Sequence, residues 1–202
     1  RKILFKIQGT APHVQLRFSE KKKQQMMHNM TEEGQAEKKK QVKKPPRNFE
    51  GEYEDAMYRT ENGERGIPAA AFRVAAISAC RLVNFKMTLG KLSIFVEANG
   101  IDEKEGIPLV LIKGDPERVT HTVTNADGSH DVRTRAMWRK WSTEVVVKYD
   151  AGQFQAQDII NLMMRVGLQV GIGEGRHDSK SSKSAGMGWG TFEVVKATEI
   201  RA

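Results

Sequence analysis

Gln155-Ala-Gln-Asp-Ile-Ile-Asn-Leu-Met-Met-Arg-Val166 runs into Gly167-Leu-Gln-Val-Gly171-Ile-Gly173-Glu-Gly175-Arg176-His177-Asp-Ser-Lys180-Ser-Ser-Lys183-Ser-Ala-Gly186-Met-Gly188-Trp189-Gly190-Thr-Phe192. In the first part Ile159, Ile160, Leu162, Met163 and Val166 recur at helical spacing, which predicts a helix over Gln155–Val166 ended by Gly167. The second part is a glycine-dense loop studded with serine and lysine, and Thr191–Val195 after it reads as a strand. Glycine lets backbone N–H groups turn toward a phosphate with no Cβ in the way. A phosphate-backbone contact is therefore one reading of the loop, and a mobile surface connection is the other.

Near the N-terminus Ile3, Phe5 and Ile7 alternate with Lys2, Lys6 and Gln8, the period of a half-buried strand. Ser19 can cap a following helix with Met26, Met27 and Met30 on its apolar side. Pro68 opens a helix over Ala69–Leu82, whose alanines favour helix and allow close approach to a sheet. Leu92–Val96, Leu109–Ile112 and Val145–Tyr149 read as strands, and Val119–Val123 with Val132 onward as a protruding hairpin around Asn125-Ala-Asp127-Gly128. Strand, helix, strands, hairpin, strand, helix, loop and strand is the order of an α+β fold, with helices on one face of a largely antiparallel sheet.

The chain has 202 residues and a formal net charge of +8. Such a length buries a real core, read here as one domain over 1–202 with a mobile basic insertion at about 31–50. No apolar run reaches membrane-spanning length and no signal-type segment opens the sequence, so a soluble intracellular protein without membrane contact is expected. Cys80, the only cysteine, sits beside an alanine-rich run and reads as a buried structural thiol. The first fifty residues hold thirteen Lys or Arg against five Glu, a balance equal to the whole net charge. Clustered cations of this kind, Lys21, Lys22, Lys39, Lys40, Lys43 and Lys44 among them, attract a polyanion whatever its sequence. A solvated arm kept soluble by its charge is the alternative.

Arg133-Thr-Arg135-Ala-Met-Trp138-Arg139-Lys140-Trp141 combines cations with indoles and contains no acid. Single-stranded nucleic acid is bound by such pairings, cations for phosphates and aromatic faces for bases. On a strand the two tryptophans fall on opposite faces, so Trp141 is expected in the core and Trp138 at the surface. Catalytic patterns are missing: the five histidines show no ligand spacing for zinc, and no nucleophile elbow or P-loop occurs. No metal, cofactor or catalytic residue is assigned. His13 and His177 meeting as base and acid for RNA cleavage is the lesser alternative.

The order of elements, with Gly171-Ile-Gly173-Glu-Gly175 through Gly186-Met-Gly188-Trp189-Gly190-Thr-Phe192 between the second helix and the last strand, resembles the RAMP superfamily. These are the RNA-binding backbone and processing subunits of CRISPR effector complexes. The resemblance implies a ferredoxin-like antiparallel sheet with two helices on one face. It also implies backbone contacts from Gly173, Gly175, Arg176, Lys180 and Lys183, although the loop here is longer and more interrupted than is usual there. Thr10-Ala-Pro12, Arg17-Phe18-Ser19-Glu-Lys21, Trp141, Tyr149-Asp150 and Val170-Gly-Ile-Gly-Glu-Gly-Arg176 also resemble a family of phage and prophage proteins. The phage resemblance brings no activity with it; the basic clusters, the cation–indole segment and the glycine loop together predict a phage-type, sequence-tolerant binder of single-stranded DNA or RNA in the bacterial host cytoplasm, working as a homo-oligomer or filament. A virion or host-defence-inhibitor protein docked on an acidic partner is the alternative.

Overall fold

Alternation of Ile3, Phe5 and Ile7 with polar neighbours gives a strand, β1 (Lys2–Gly9), whose three apolar side chains are buried in the computed structural model. The structure describes residues 1–18, 20–31, 46–124, 128–178 and 185–200. β10 (Ser142–Tyr149) pairs with β1 so that Val147 faces Ile3, Val145 faces Phe5 and Thr143 faces Ile7. β11 (Phe192–Ile200) lines the other edge of β1, with a register shift between Lys6 and Ile7. The far edge of β10 is divided. β5 (Ile94–Glu97) takes Val146–Tyr149, and β7 (Pro108–Lys113) takes Ser142 and Thr143. β4 (Arg65–Pro68) and then β3 (Tyr58–Arg59) extend the sheet past β7, and β6 (Gly100–Ile101) also pairs with β7. Each of these pairings is antiparallel.

Two helices cover the face that carries Ile3, Phe5, Val145 and Val147. α3 (Ala69–Ala79) buries Phe72, Ala75, Ala76 and Ala79, and continues into a 3-10 turn over Cys80–Leu82. α5 (Ala156–Arg165) buries Ile159, Leu162 and Met163, and its first turn is closed by the Asp158 carboxylate, which accepts from the Gln155 amide at 2.8 Å. Phe72 of α3 meets Phe192 of β11 with ring centroids 6.4 Å apart. In chain order β1, α3, β5 and then β10, α5, β11 make two strand–helix–strand crossovers that interleave in the sheet as β11-β1-β10-β5. The fold is α+β with a mostly antiparallel sheet. Cys80 is buried, and burial pushes its thiol pKa up.

Several boundaries differ from the sequence expectation. Gly167 does not stop the second helix: the chain widens into a five-residue turn over Val166–Val170, and Gly171, at φ +72°, ends it. Gly167 is needed for another reason, since a Cβ there would run into the Phe192 carbonyl of β11. Leu92 and Ser93 finish α4 (Met87–Ser93) instead of opening a strand, and β5 starts only at Ile94.

The residues group into two compact units. The first, Arg1–Gln15 with Tyr58–Glu117 and Met137–Ala202, contains the sheet and helices above. The second is Leu16–Met57 with Arg118–Ala136. It holds α1 (Glu20–His28), α2 (Phe49–Asp55) and most of the neighbouring strands β8 (Glu117–Thr124) and β9 (His130–Trp138), the expected hairpin. Arg47 bonds Glu52 at 2.6 Å and Asp131 at 3.2 Å, and Arg118 bonds Glu50 at 2.7 Å, so both segments of this unit are fastened to each other. Met26, Met27 and Met30, the apolar side expected of the first helix, are exposed. Of the expected insertion at about 31–50, residues 32–45 lie outside the described residues, and its last part opens α2, capped by the Asn48 side chain on the Gly51 amide at 3.0 Å.

Candidate nucleic-acid interface

The glycine loop begins where α5 and its wide turn run out and ends where β11 starts. Its two described limbs, residues 171–178 and 185–190, are hydrogen-bonded to each other: the Met187 amide donates to the Gly175 carbonyl at 2.7 Å and the Ile172 amide to the Gly190 carbonyl at 3.0 Å. Both limbs are also tied to the segment after β1. The Gly190 amide donates to the Pro12 carbonyl at 2.7 Å and the Glu174 amide to the Val14 carbonyl at 3.0 Å. Among the described residues the amides of Gly173, Gly175, His177 and Gly188 take no part in these backbone bonds.

Two glycines expected as phosphate donors also have a packing task. Gly173 sits at φ +85°, and a Cβ there would lie 2.7 Å from His13 Cε1 and from the Val14 carbonyl. Gly175, at φ +69°, leaves room for Trp189, whose Cε3 would be 2.5 Å from a Cβ. The described limbs are thus a fitted structure laid over β2 (His13–Gln15), not a loose connection.

Beneath the loop lies a buried aromatic and polar cluster. His13 and Trp138 are fully buried and Trp141 nearly so; the histidine ring stands 5.7 Å from Trp138 and 5.4 Å from Trp141. The Gln15 amide nitrogen donates to the Gly66 carbonyl at 2.9 Å and lies 3.2 Å from His13 Nε2. Nε2 is therefore the acceptor and the proton sits on Nδ1. Burial lowers the His13 pKa to about 3, against the opposing pull of the Ile172 carbonyl. The expectation that Trp138 is a surface platform is corrected here. β9 ends at Trp138, Arg139 and Lys140 make the turn into β10, and the alternation that would have separated the two indoles stops at the turn, so both fold inward. Of the two histidines, His13 is enclosed and His177 is exposed.

The cations divide into groups. Arg139 and Lys140 are exposed in the β9–β10 turn, with Arg139 bonded to Glu117 at 2.6 Å. That turn and the glycine loop occupy one end of the sheet, because Gln8 faces Ser142 and Gly9 faces Phe192. The Gly9 amide donates to the Trp141 carbonyl at 2.9 Å and the Thr10 amide to the Thr191 carbonyl at 3.0 Å. Arg176, half-buried, belongs to the same end and donates to the Gly173 carbonyl at 3.1 Å. Gly173, Gly175, Arg176, Arg139 and Lys140 are thereby brought together in the first unit.

Arg133 and Arg135 belong to the second unit, and Arg135 is buried, which corrects its place on an open cationic face. Lys21 and Lys22 lie on α1, also in the second unit. Lys39, Lys40, Lys43, Lys44, Lys180 and Lys183 lie outside the described residues.

Sequence reading missed a polar knot at the loop's first limb. The Asp178 carboxylate accepts from Ser78 Oγ at 2.5 Å and from the Arg81 guanidinium. Burial works to raise its pKa, but the bonds from Ser78 and Arg81 and the charges of Arg81 and Arg176 outweigh it and hold the carboxyl below its ordinary value. The sequence signal was slight: Arg81 follows the C-terminal end of α3, where a cation suits the helix dipole. Among the described residues no group of His, Cys, Asp and Glu could hold a metal ion, and no helix is long and apolar enough to cross a membrane. The chain matches no protein-family model and no curated protein.

Proposed function

We propose that this protein binds single-stranded DNA or RNA without sequence preference, neutralising phosphates at one end of the first unit's sheet and along its basic N-terminal residues. In this reading copies tile along the strand as an oligomer or filament, to protect or anneal it during phage replication or recombination. The observation that carries the reading is the convergence of the glycine loop, with Arg176 and the amides of Gly173, Gly175, His177 and Gly188, on the same sheet end as Arg139 and Lys140. Backbone amides and cations contact phosphates and carry no base information, which suits sequence tolerance. We read the interleaved order β11-β1-β10-β5, with both crossover helices on one face and the loop before the last strand, as ferredoxin-like and of the RAMP kind. The reading contains no catalytic step, and the burial of His13 suits it.

A salt titration tests it. The protein should bind a fluorescent oligonucleotide at low salt, with log affinity falling linearly in log salt. Replacing Arg139, Lys140 and Arg176 together by glutamine should flatten that line by up to ~0.7 for each phosphate no longer neutralised. No detectable binding at low salt sinks the reading, and an unchanged slope in the triple variant moves the phosphate site elsewhere. A second reading, docking on an acidic protein, draws on the exposed Phe18, Met26, Met27 and Met30 of the second unit, since adaptable methionines are common at protein-binding surfaces. It predicts capture of an acidic protein together with silence toward oligonucleotides.

A further inference from the structure

Arg81 lies outside every motif read from the sequence, yet it pairs with a carboxylate two residues past Arg176. Asp178 follows Arg176 by two residues in the first limb of the glycine loop, and its amide is fixed by the Val170 carbonyl at 3.1 Å. Its carboxylate takes the Ser78 hydroxyl and the Arg81 guanidinium, while Arg176 acts on it by charge. The Arg81 side chain is about half exposed, whereas Asp178 shows only 27% of its side-chain surface. One guanidinium half open to solvent is thus paired with a small, singly charged anion, and a second, two residues before that anion in the chain, adds its charge at the edge of the proposed strand-binding surface. A phosphodiester carries the same charge and offers oxygens that an arginine fork takes in pairs.

We propose that Arg81 and Arg176 together receive a backbone phosphate of the bound strand, and that Asp178 is the internal anion holding their place in the unbound protein. This rests on the nucleic-acid reading above. Asp178 thereby keeps the two guanidinium groups oriented and their mutual repulsion masked, and binding exchanges one anion for another. The exchange weakens affinity for any single phosphate, which suits a protein that must slide and tile.

The test compares oligonucleotide affinity and salt slope for wild type, Asp178→Asn, Ser78→Ala, Arg81→Gln and the Asp178→Asn/Arg81→Gln double variant. Asparagine keeps an acceptor for Ser78 and removes only the charge, so Asp178→Asn should bind roughly threefold to tenfold tighter, with a slope steeper by up to ~0.7. Arg81→Gln should bind more weakly with a shallower slope, and in that background Asp178→Asn should lose most of its gain. Ser78→Ala loosens the same knot without altering charge and should leave the slope unmoved.

An Asp178→Asn protein that stays folded and binds no tighter overturns the proposal, and so does a Ser78→Ala gain of equal size, which would trace the effect to a loosened loop. Should Asp178→Asn fail to fold, Arg81→Gln decides alone: unchanged affinity and slope there overturn the proposal. Wild type that binds no oligonucleotide at low salt removes the function reading itself, a result distinct from wild-type binding that these variants leave unmoved.

Discussion

His13 should make the stability of this protein fall as the pH drops below neutrality. The folded state holds the ring neutral down to about pH 3, whereas the unfolded chain takes up a proton near 6.5. Between those values the unfolded state binds more protons, so stability is full above the unfolded pKa and falls as the pH falls. At ~1.4 kcal/mol per unit, His13 should cost the wild type about 2 kcal/mol between pH 7 and pH 5, and about 4 kcal/mol by pH 3. Its neighbours Gln15, Trp138, Trp141 and Gly173 offer no charge to stabilise an imidazolium. Asp178, whose carboxyl is held below its ordinary value, loses its own contribution only at more acid pH, outside the upper window. Urea unfolding of wild type and His13→Gln at half-unit steps from pH 7 to pH 5 measures the effect. The variant will start less stable, and the informative quantity is the gap between the two curves, which should close by about 2 kcal/mol across the window. Parallel curves would mean that the ring reaches water or a partner when protonated, and that burial does not hold it neutral.

Other substitutions probe the same region. Trp138→Ala should cost about 3–5 kcal/mol of folding stability, read by denaturant midpoint, because a fully buried indole leaves a large cavity. An unchanged midpoint would return Trp138 to the surface. Gly173→Ala must keep φ at +85° and bring a methyl against His13 and the Val14 carbonyl, so it should cost more than the ~1–2 kcal/mol of the backbone conformation alone. Hydrogen exchange should then quicken first at the amides of Glu174 and Gly190, which bind the segment after β1. Gly175→Val faces the indole of Trp189 and should loosen the loop in the same way, with oligonucleotide affinity falling alongside protection; a loss of protection that leaves affinity intact would separate the loop from binding.

The parts of the fold legible in the sequence were those where one physical rule acts alone. The period of Ile3, Phe5 and Ile7 gave β1, and Pro68 followed by alanines gave α3, because a one-sided core imposes its spacing on the residues. β3, β4, β6 and α4 were hidden, being short and held by partners distant in the chain; β4, for example, is fixed by Leu109–Leu111 of β7. The site was legible in its backbone and opaque in its packing. Glycines announced a loop, but whether each served a ligand or a neighbour depended on the side chain it meets. Gly173 meets His13, which is distant in sequence, and Gly175 meets Trp189, across the loop. Trp138 was misplaced because strand alternation was carried through Arg139 and Lys140, where the chain turns. Arg81 gave no pattern at all, since its meaning comes from Asp178, which the fold brings to it.

The second unit is made from two excursions that leave and re-enter the first unit at closely spaced points. Gln15, before the first excursion, accepts the amide of Tyr58, after it, at 3.4 Å, and Glu117, before the second, bonds Arg139, just past its end, at 2.6 Å. Ends that meet in this way can be joined by a few residues at little entropic cost, and they are where evolution most readily grafts or trims a module. The chain therefore has the layout of a cassette host. A shortened chain with turns at Gln15–Tyr58 and Glu117–Met137 would test whether the sheet and its glycine loop hold by themselves.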